Sequence, residues 1–318
     1  MISCTEFIPL YSEFFTFLEA RGGHDAVVRY WEYLGEKSIG DKSNPKSLLA
    51  YHERDGIDGA WNYWSMSLTE EACDVYRVYD PVKKTGYTHL RHCPSRGMLN
   101  DLKHIEPYWD YCSHCDVIYN KALGEYGITR VRDTSKIANA ECAIVMYRAC
   151  DPLPGEEVKE VSDPAYLMDI KAEDNKYLHK DFHLSGDHVL KYTGENYGEN
   201  CVRDFLATYA KRYYSPQIED AKKRGLIALK EWIEHTYEVE EASELLHTEL
   251  DEKSLIITVD KSPVIEFMRS LNQEPSRYYI EQTRTLYAAI ADACNYGFSL
   301  EYYNEDGGTK FRFFKRNW

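Results

Sequence analysis

The feature that most constrains this chain is a recurrence. Glu106-Pro107 is followed 168 residues later by Glu274-Pro275, and the same shift carries Tyr111 onto Tyr279, Tyr119 onto Tyr287 and Arg148 onto Arg316. A one-residue gap aligns Cys93-Pro94 with Ser262-Pro263, and a small local shift aligns Tyr126-Gly127 with Tyr296-Gly297. The order of predicted elements repeats as well: helices, strand, Xaa-Pro, short helix, Glu-Pro helix, strand, turn, strand. A period this long is not that of a solenoid. It predicts an α+β fold with an internal duplication, in which a helical segment plus a β-α-α-β-β unit recurs in two pseudo-symmetric halves.

Periodicity supplies the elements. Apolar residues at helical spacing predict helices over 6–35, interrupted at Gly22-Gly23, and short helices over 47–51 and 59–67. Alternation over 74–92 predicts a hairpin turned at Pro81–Gly86. A short helix over 98–103 and strands over 128–132 and 142–147 complete a first copy within residues 1–150. Residues 151–199, rich in acids, Gly and Asn, read as an irregular connector. The second copy, 200–318, has helices from Val202, a strand over 254–260, a helix over 264–271 and a helix from Glu274-Pro275 to about Cys294. Its last strands are predicted over 298–303 and 310–314.

A net charge of −15, without a basic stripe, argues against nucleic acid and anionic membranes as partners. No apolar run approaches the length of a membrane span, and the first residues carry no positive n-region. Nine scattered cysteines, an odd number, fit reduced thiols in a cytoplasm better than a disulfide framework. The expected partner is a small-molecule substrate, with a homodimer as the expected assembly if the chain associates.

The chemistry concentrates in Ile105-Glu106-Pro107-Tyr108-Trp109-Asp110-Tyr111-Cys112-Ser113-His114-Cys115-Asp116. Pro107 suits the first turn of a helix, since its missing N–H is not needed there. A helix from Pro107 to about Tyr126 would place Cys112, Cys115 and Asp116 on one face. The second copy keeps the framework and loses these groups. At the matched positions Cys93 becomes Ser262, Cys112 Ile280, Cys115 Thr283 and Cys142 Lys310, while His114 becomes Gln282 and Asp116 Arg284. Concerted loss marks a site that one copy retained.

Three roles fit these residues. In nucleophilic catalysis without a cofactor, Cys142 or Cys112 attacks, Asp116 serves as acid/base or amine anchor, and His114 assists. Cys93, His104, Glu106, Tyr111 and Cys115 would then line the substrate. In a zinc site, Cys112-x-x-Cys115 joins Cys93 and Cys142, with His92, His104 or His114 as substitutes. In the third, Cys112 and Cys115 are buried packing residues. His179 and His183, four apart, are a weaker metal pair in what reads as a solvated linker.

The order Cys93-Pro94, then Tyr111-Cys112 with Asp116, then Glu141-Cys142 opening a last strand resembles the L-2-amino-thiazoline-4-carboxylic acid hydrolase family, in a distant, clostridial-type branch. The resemblance covers about residues 70–150 and, in degenerate form, 250–316. Around the last cysteine, Asn139-Ala140-Glu141-Cys142-Ala143-Ile144 keeps the family's acid and Cys but not its Gly or Asp-Phe. The resemblance implies a small α+β domain that hydrolyses a C–N bond of a cyclic amidine- or thiazoline-like compound, the named activity opening a thiazoline to N-carbamoyl-cysteine.

Overall fold

Two Xaa-Pro steps open short helices in the same way. Cys93 caps one helix, its Sγ accepting from the Arg96 N–H at 3.5 Å, and Ser262 caps another, its Oγ accepting from Ile265 at 3.3 Å. In each case proline occupies the first turn, where no N–H is required. In this computed structural model, which describes residues 1–148 and 167–316, the two caps belong to two separate compact units. One, here called the cysteine unit, comprises 18–103 and 107–179; the other, the companion unit, comprises 1–17, 104–106 and 180–318. The partition interleaves segments and so differs from a division at residues 150 and 199.

The cysteine unit holds most of α1 (Phe7–Lys37), α2 (Leu48–Glu70), β1 (Asp74–Asp80), β2 (Thr85–His92), α3 (Pro94–Asp101), α4 (His114–Leu123), β3 (Ile128–Asp133), β4 (Cys142–Arg148) and β5 (Leu167–Ile170). Its strands form one antiparallel sheet in the order β3-β4-β2-β1-β5. Helix α1 bends at Gly22-Gly23, where Gly23 has φ +68°, a left-handed conformation suited to glycine. Trp61 of α2, Leu123 of α4, Ile128 of β3 and Met146 of β4 share one buried core.

The companion unit carries α5 (Phe182–Tyr197), α6 (Glu199–Tyr213), α7 (Ser215–Arg224), α8 (Leu226–Val239), β6 (Leu246–Leu250), β7 (Ser254–Val259), α9 (Pro263–Ser270), α10 (Glu281–Ala293), β8 (Tyr296–Tyr303) and β9 (Thr309–Lys315). Its antiparallel sheet runs β6-β7-β9-β8. Tyr287 of α10 stacks on Phe311 of β9 with centroids 4.9 Å apart.

The protein is therefore α+β, and the two units share a topology. The order α2-β1-β2-α3-α4-β3-β4 parallels α8-β6-β7-α9-α10-β8-β9, with the strands in the same spatial sequence apart from the added β5. The loop before the last strand turns through a left-handed residue in both, Ala140 (φ +57°) and Gly307 (φ +78°). Facing pairs match as well: Leu90↔Cys142 and Gly86↔Met146 in one unit correspond to Val259↔Thr309 and Leu255↔Phe313 in the other.

This register corrects three alignments: Ile128, not Tyr126, corresponds to Tyr296, Arg148 corresponds to Lys315, and Cys142 moves as well. A constant shift pairs Cys142 with Lys310, but Lys310 lies on the opposite sheet face and meets Glu301 at 3.3 Å. Slipping a strand by one residue exchanges its faces. The structural counterpart of Cys142 is the buried Thr309.

Two further expectations are corrected. The helix begins at His114, not Pro107, and α10 begins at Glu281, not at Pro275. Residues 107–110 are held as a turn instead. The Tyr108 hydroxyl bonds His24 Nδ1 at 3.0 Å and donates to Glu19 at 3.2 Å, while Trp109 Nε1 donates to Glu19 at 3.1 Å. Cys112 thus sits in a 3-10 turn (Tyr111–Ser113) ahead of α4. The expected connector is also more regular than its composition suggests, since β5 and α5 lie within it and α5 buries Val189 and Leu190. Cys150 and the Asp151–Gly155 stretch fall outside the described residues. Among the described residues no helix is long and apolar enough to cross a membrane, and the eight cysteines are free.

Leu123 is fully buried where α4 meets the sheet. Leu123→Ala is expected to cost the cysteine unit about 2–5 kcal/mol in denaturant unfolding. Val82→Ser, in an exposed hairpin turn, should stay within about 0.5 kcal/mol.

Candidate functional site

Strand β3 supplies the floor of the site. Alternate residues face the helices, which directs Ile128, Arg130 and Arg132 toward α4. Arg130 is buried, with its guanidinium 4.4 Å from the Tyr119 ring centroid and 4.7 Å from that of Trp64. It donates to the Cys115 carbonyl at 2.6 Å. Arg132 donates to Asp116 Oδ2 at 2.8 Å. Two positive charges therefore lie under the first turn of α4, whose own N-terminus adds a partial positive charge.

On that floor His114 and Cys115 form a pair. The Cys115 Sγ is 3.5 Å from His114 Nε2, and the other ring nitrogen bonds the Tyr111 carbonyl. The Tyr111 ring packs edge-on to the imidazole at 4.7 Å. Burial alone would raise the Cys115 thiol, but the His114 charge and hydrogen bond, with Arg132 and Arg130, outweigh it and lower the thiol to about 7. For His114, burial acts to lower the imidazole, yet Cys115 and the Tyr111 carbonyl raise it above its ordinary value. The arrangement is a half-buried thiol–imidazole pair in which each group favours the charged form of the other.

The other thiols differ in kind. Burial pushes Cys112 up to about 11 and Cys142 up to about 12, and holds Cys93 well above its ordinary range. Cys142 and Cys112, expected from sequence as nucleophiles, are thus neutral neighbours of a more acidic third thiol. Asp116, expected as acid/base, is engaged by Arg132. Cys93, Cys112, Cys115 and Cys142 lie close enough to influence one another electrostatically. No three of them, however, bring their ligand atoms within 4.8 Å among the described residues, so the zinc arrangement is not assembled.

Tyr111 is buried beside the pair. His104 and Glu106 are exposed and belong to the companion unit, where His104 Nε2 meets the Tyr213 carbonyl at 2.8 Å. Nothing brings either of them to the thiols within one unit. The residues that sequence reasoning missed are the arginines. Arg130 and Arg132 correspond to Phe298 and Leu300, so the same comparison that marked the cysteines would have marked these two. Buried Nε atoms of Arg96 and Arg132, and Oδ1 of Asp116, have no hydrogen-bond partner among the described residues. Buried polar groups left in this state mark a place where a ligand or water can bind.

The companion unit shows what encloses such a space. A cavity of about 20 Å³ is lined there by Ser262, Tyr279, Gln282, Thr283, Tyr287 and Thr309, among others. These are the counterparts of Cys93, Tyr111, His114, Cys115, Tyr119 and Cys142. Room for about one water remains. In the companion unit these positions surround a space and carry aromatic and neutral polar groups, where the cysteine unit carries thiols and a histidine. No family model matches the chain, and neither a curated protein nor a solved structure matches it.

The lowered thiol sets the pH dependence of Cys115. Its reactive form appears as pH rises through about 7 rather than through 9.0. Alkylation by iodoacetamide, mapped by peptide mass spectrometry, should be fastest at Cys115 and follow that midpoint. His114→Ala should move the midpoint upward and slow labelling at neutral pH. Equal, slow labelling of Cys93, Cys112, Cys115 and Cys142 would contradict the assignment.

Proposed function

We propose that the protein is a cysteine-dependent hydrolase of a small cyclic amidine- or thiazoline-like compound, with Cys115 as nucleophile and His114 as its proton carrier. The observation that carries this reading is the 3.5 Å contact between Cys115 Sγ and His114 Nε2 over Arg130 and Arg132. It moves the nucleophile from Cys142 or Cys112 to Cys115 and leaves the reaction class expected from the family resemblance unchanged. The shared topology of the two units supports a second part of the proposal, that they arose by duplication and that only the cysteine unit kept the chemistry.

The steps follow from the groups present. The Cys115 thiolate adds to the electrophilic carbon of the C=N bond, whose electron pair moves to nitrogen and takes the His114 proton. The tetrahedral adduct collapses by breaking the ring bond, expelling sulfur from a thiazoline as its thiolate or, from a cyclic amidine bound as its amidinium, the newly protonated nitrogen as an amine. Water, losing a proton to neutral His114, then attacks the thioether-linked carbon; the Cys115 thiolate leaves, and the hydroxyl proton passes to the expelled sulfur or amine. The net reaction consumes one water and yields a ring-opened urea or amide. Arg96 and Arg132, with their unpaired Nε atoms, suit an anionic substituent on the substrate, and Asp116 suits a cationic or N–H group.

A panel of small thiazolines and cyclic amidines tests the reading. At least one should be hydrolysed, with Cys115→Ser lowering kcat/KM by about 10³-fold or more. Arg96→Gln should raise KM more than it lowers kcat. Absence of turnover across the panel, or full activity in Cys115→Ser, would overturn the proposal.

A further inference from the structure

A second cluster of ligating side chains lies in the companion unit. Cys4, His183 and Glu240 come from a 3-10 turn (Cys4–Glu6), the first turn of α5 and the C-terminal cap of α8. Each offers one ligand atom, and the three atoms all lie within 4.8 Å of one another. All three residues are buried, with relative exposures of 1%, 6% and 2%. Glu240 is aimed by its surroundings: Oε1 accepts the Cys4 N–H at 2.6 Å, while Oε2 meets His183 Nε2 at 2.8 Å.

We propose that Cys4, His183 and Glu240 form a binding site for a thiophilic divalent cation, Zn²⁺ above all, distinct from the Cys115–His114 pair.

The donor set favours that cation. Thiolate, imidazole and carboxylate are the three ligand types zinc takes, and a separation below 4.8 Å is closed by modest side-chain movement around a central ion. Hard cations such as Mg²⁺ and Ca²⁺ prefer sites made of oxygen alone. Charge points the same way, since thiolate plus carboxylate neutralises a divalent ion in a site closed to solvent. Three protein donors leave the fourth position to water or an exogenous ligand. Binding requires the thiol proton of Cys4 to depart and His183 Nε2 to be free of hydrogen, so that Nε2 turns from Glu240 to the ion. The neighbouring titratable groups are Glu6, Lys180 and the Met1 amino group, which burial lowers to about 5. A bound ion would tie together segments far apart in the chain, near residues 4, 183 and 240.

The counterpart in the cysteine unit sharpens the contrast. There Glu70, at the end of α2, pairs with His179 Nδ1 at 2.7 Å, so each unit sets a histidine against a glutamate at the end of the helix that precedes its sheet. Only the companion unit adds a thiol from its own residues. A histidine–glutamate pair suffices for structure; the added cysteine converts it to a ligand set.

The test uses the full chain purified without chelator and then supplied with zinc and desalted. Elemental analysis should find one zinc per chain. X-ray absorption at the zinc edge should find a single sulfur scatterer, with nitrogen and oxygen completing the shell. Cys4→Ser and His183→Gln should each lose the metal and the zinc-dependent rise in Tm, while Cys115→Ser keeps both. The wild-type absorption spectrum decides the matter even if a variant does not fold. Failure to retain zinc, or a shell with two or more sulfurs, which would place the metal among Cys93, Cys112, Cys115 and Cys142, overturns the proposal.

Discussion

The site in the cysteine unit depends on a buried cation. Arg130 lies against Trp64 and Tyr119 and donates to the carbonyl of Cys115. A guanidinium withdrawn from water must be compensated by ring faces and hydrogen bonds, or it destabilises the fold. The same contact that satisfies it fixes the first turn of α4 against β3. The core is thereby arranged so that stabilising Arg130 also sets positive charge beneath a thiol. In the companion unit the corresponding residue is Phe298, which packs 6.4 Å from Tyr287, the counterpart of Tyr119. Replacing the cation with an aromatic ring removes both the burial cost and the field.

Histidine does the rest. Without His114, burial would hold Cys115 among its less acidic neighbours Cys112 and Cys142; with it, the thiol titrates near neutrality. Four cysteines in one region are thus not equivalent, and their differences trace to which of them touches an imidazole. Arg132 divides its charge between Asp116 and the thiols, which makes Asp116 part of the frame around the nucleophile.

Much of this was legible in the sequence. The hairpin of β1 and β2 and the strands β3, β4, β7 and β9 follow from alternation, whereas the helix expected over 98–103 starts earlier, at Pro94, because Cys93 caps it. The late start of α4 was not legible, because the turn at Tyr108–Asp110 is held by Glu19 and His24, some 80 to 90 residues away. The α5 helix was hidden by Gly186, Gly194 and several polar residues, whose weak helical preference is overridden by burial of one face. The cluster Cys112–His114–Cys115–Asp116 stood out, but the ranking of its thiols depended on which side chains meet in space. Cys142 aligned with Lys310 by counting and with Thr309 by sheet face. That one-residue difference is invisible until the pairing register is known.

The central claim is that one thiol in this chain is a thiolate near neutral pH because His114 and two arginines hold it so. The ultraviolet absorbance of thiolate, followed as pH is raised on the native protein, reads this without any substrate. The account predicts a step worth one thiol with a midpoint near 7, absent from Cys115→Ser and shifted upward in His114→Ala. A native protein in which no thiol ionises below the ordinary cysteine range, or whose early step survives in Cys115→Ser, would contradict it.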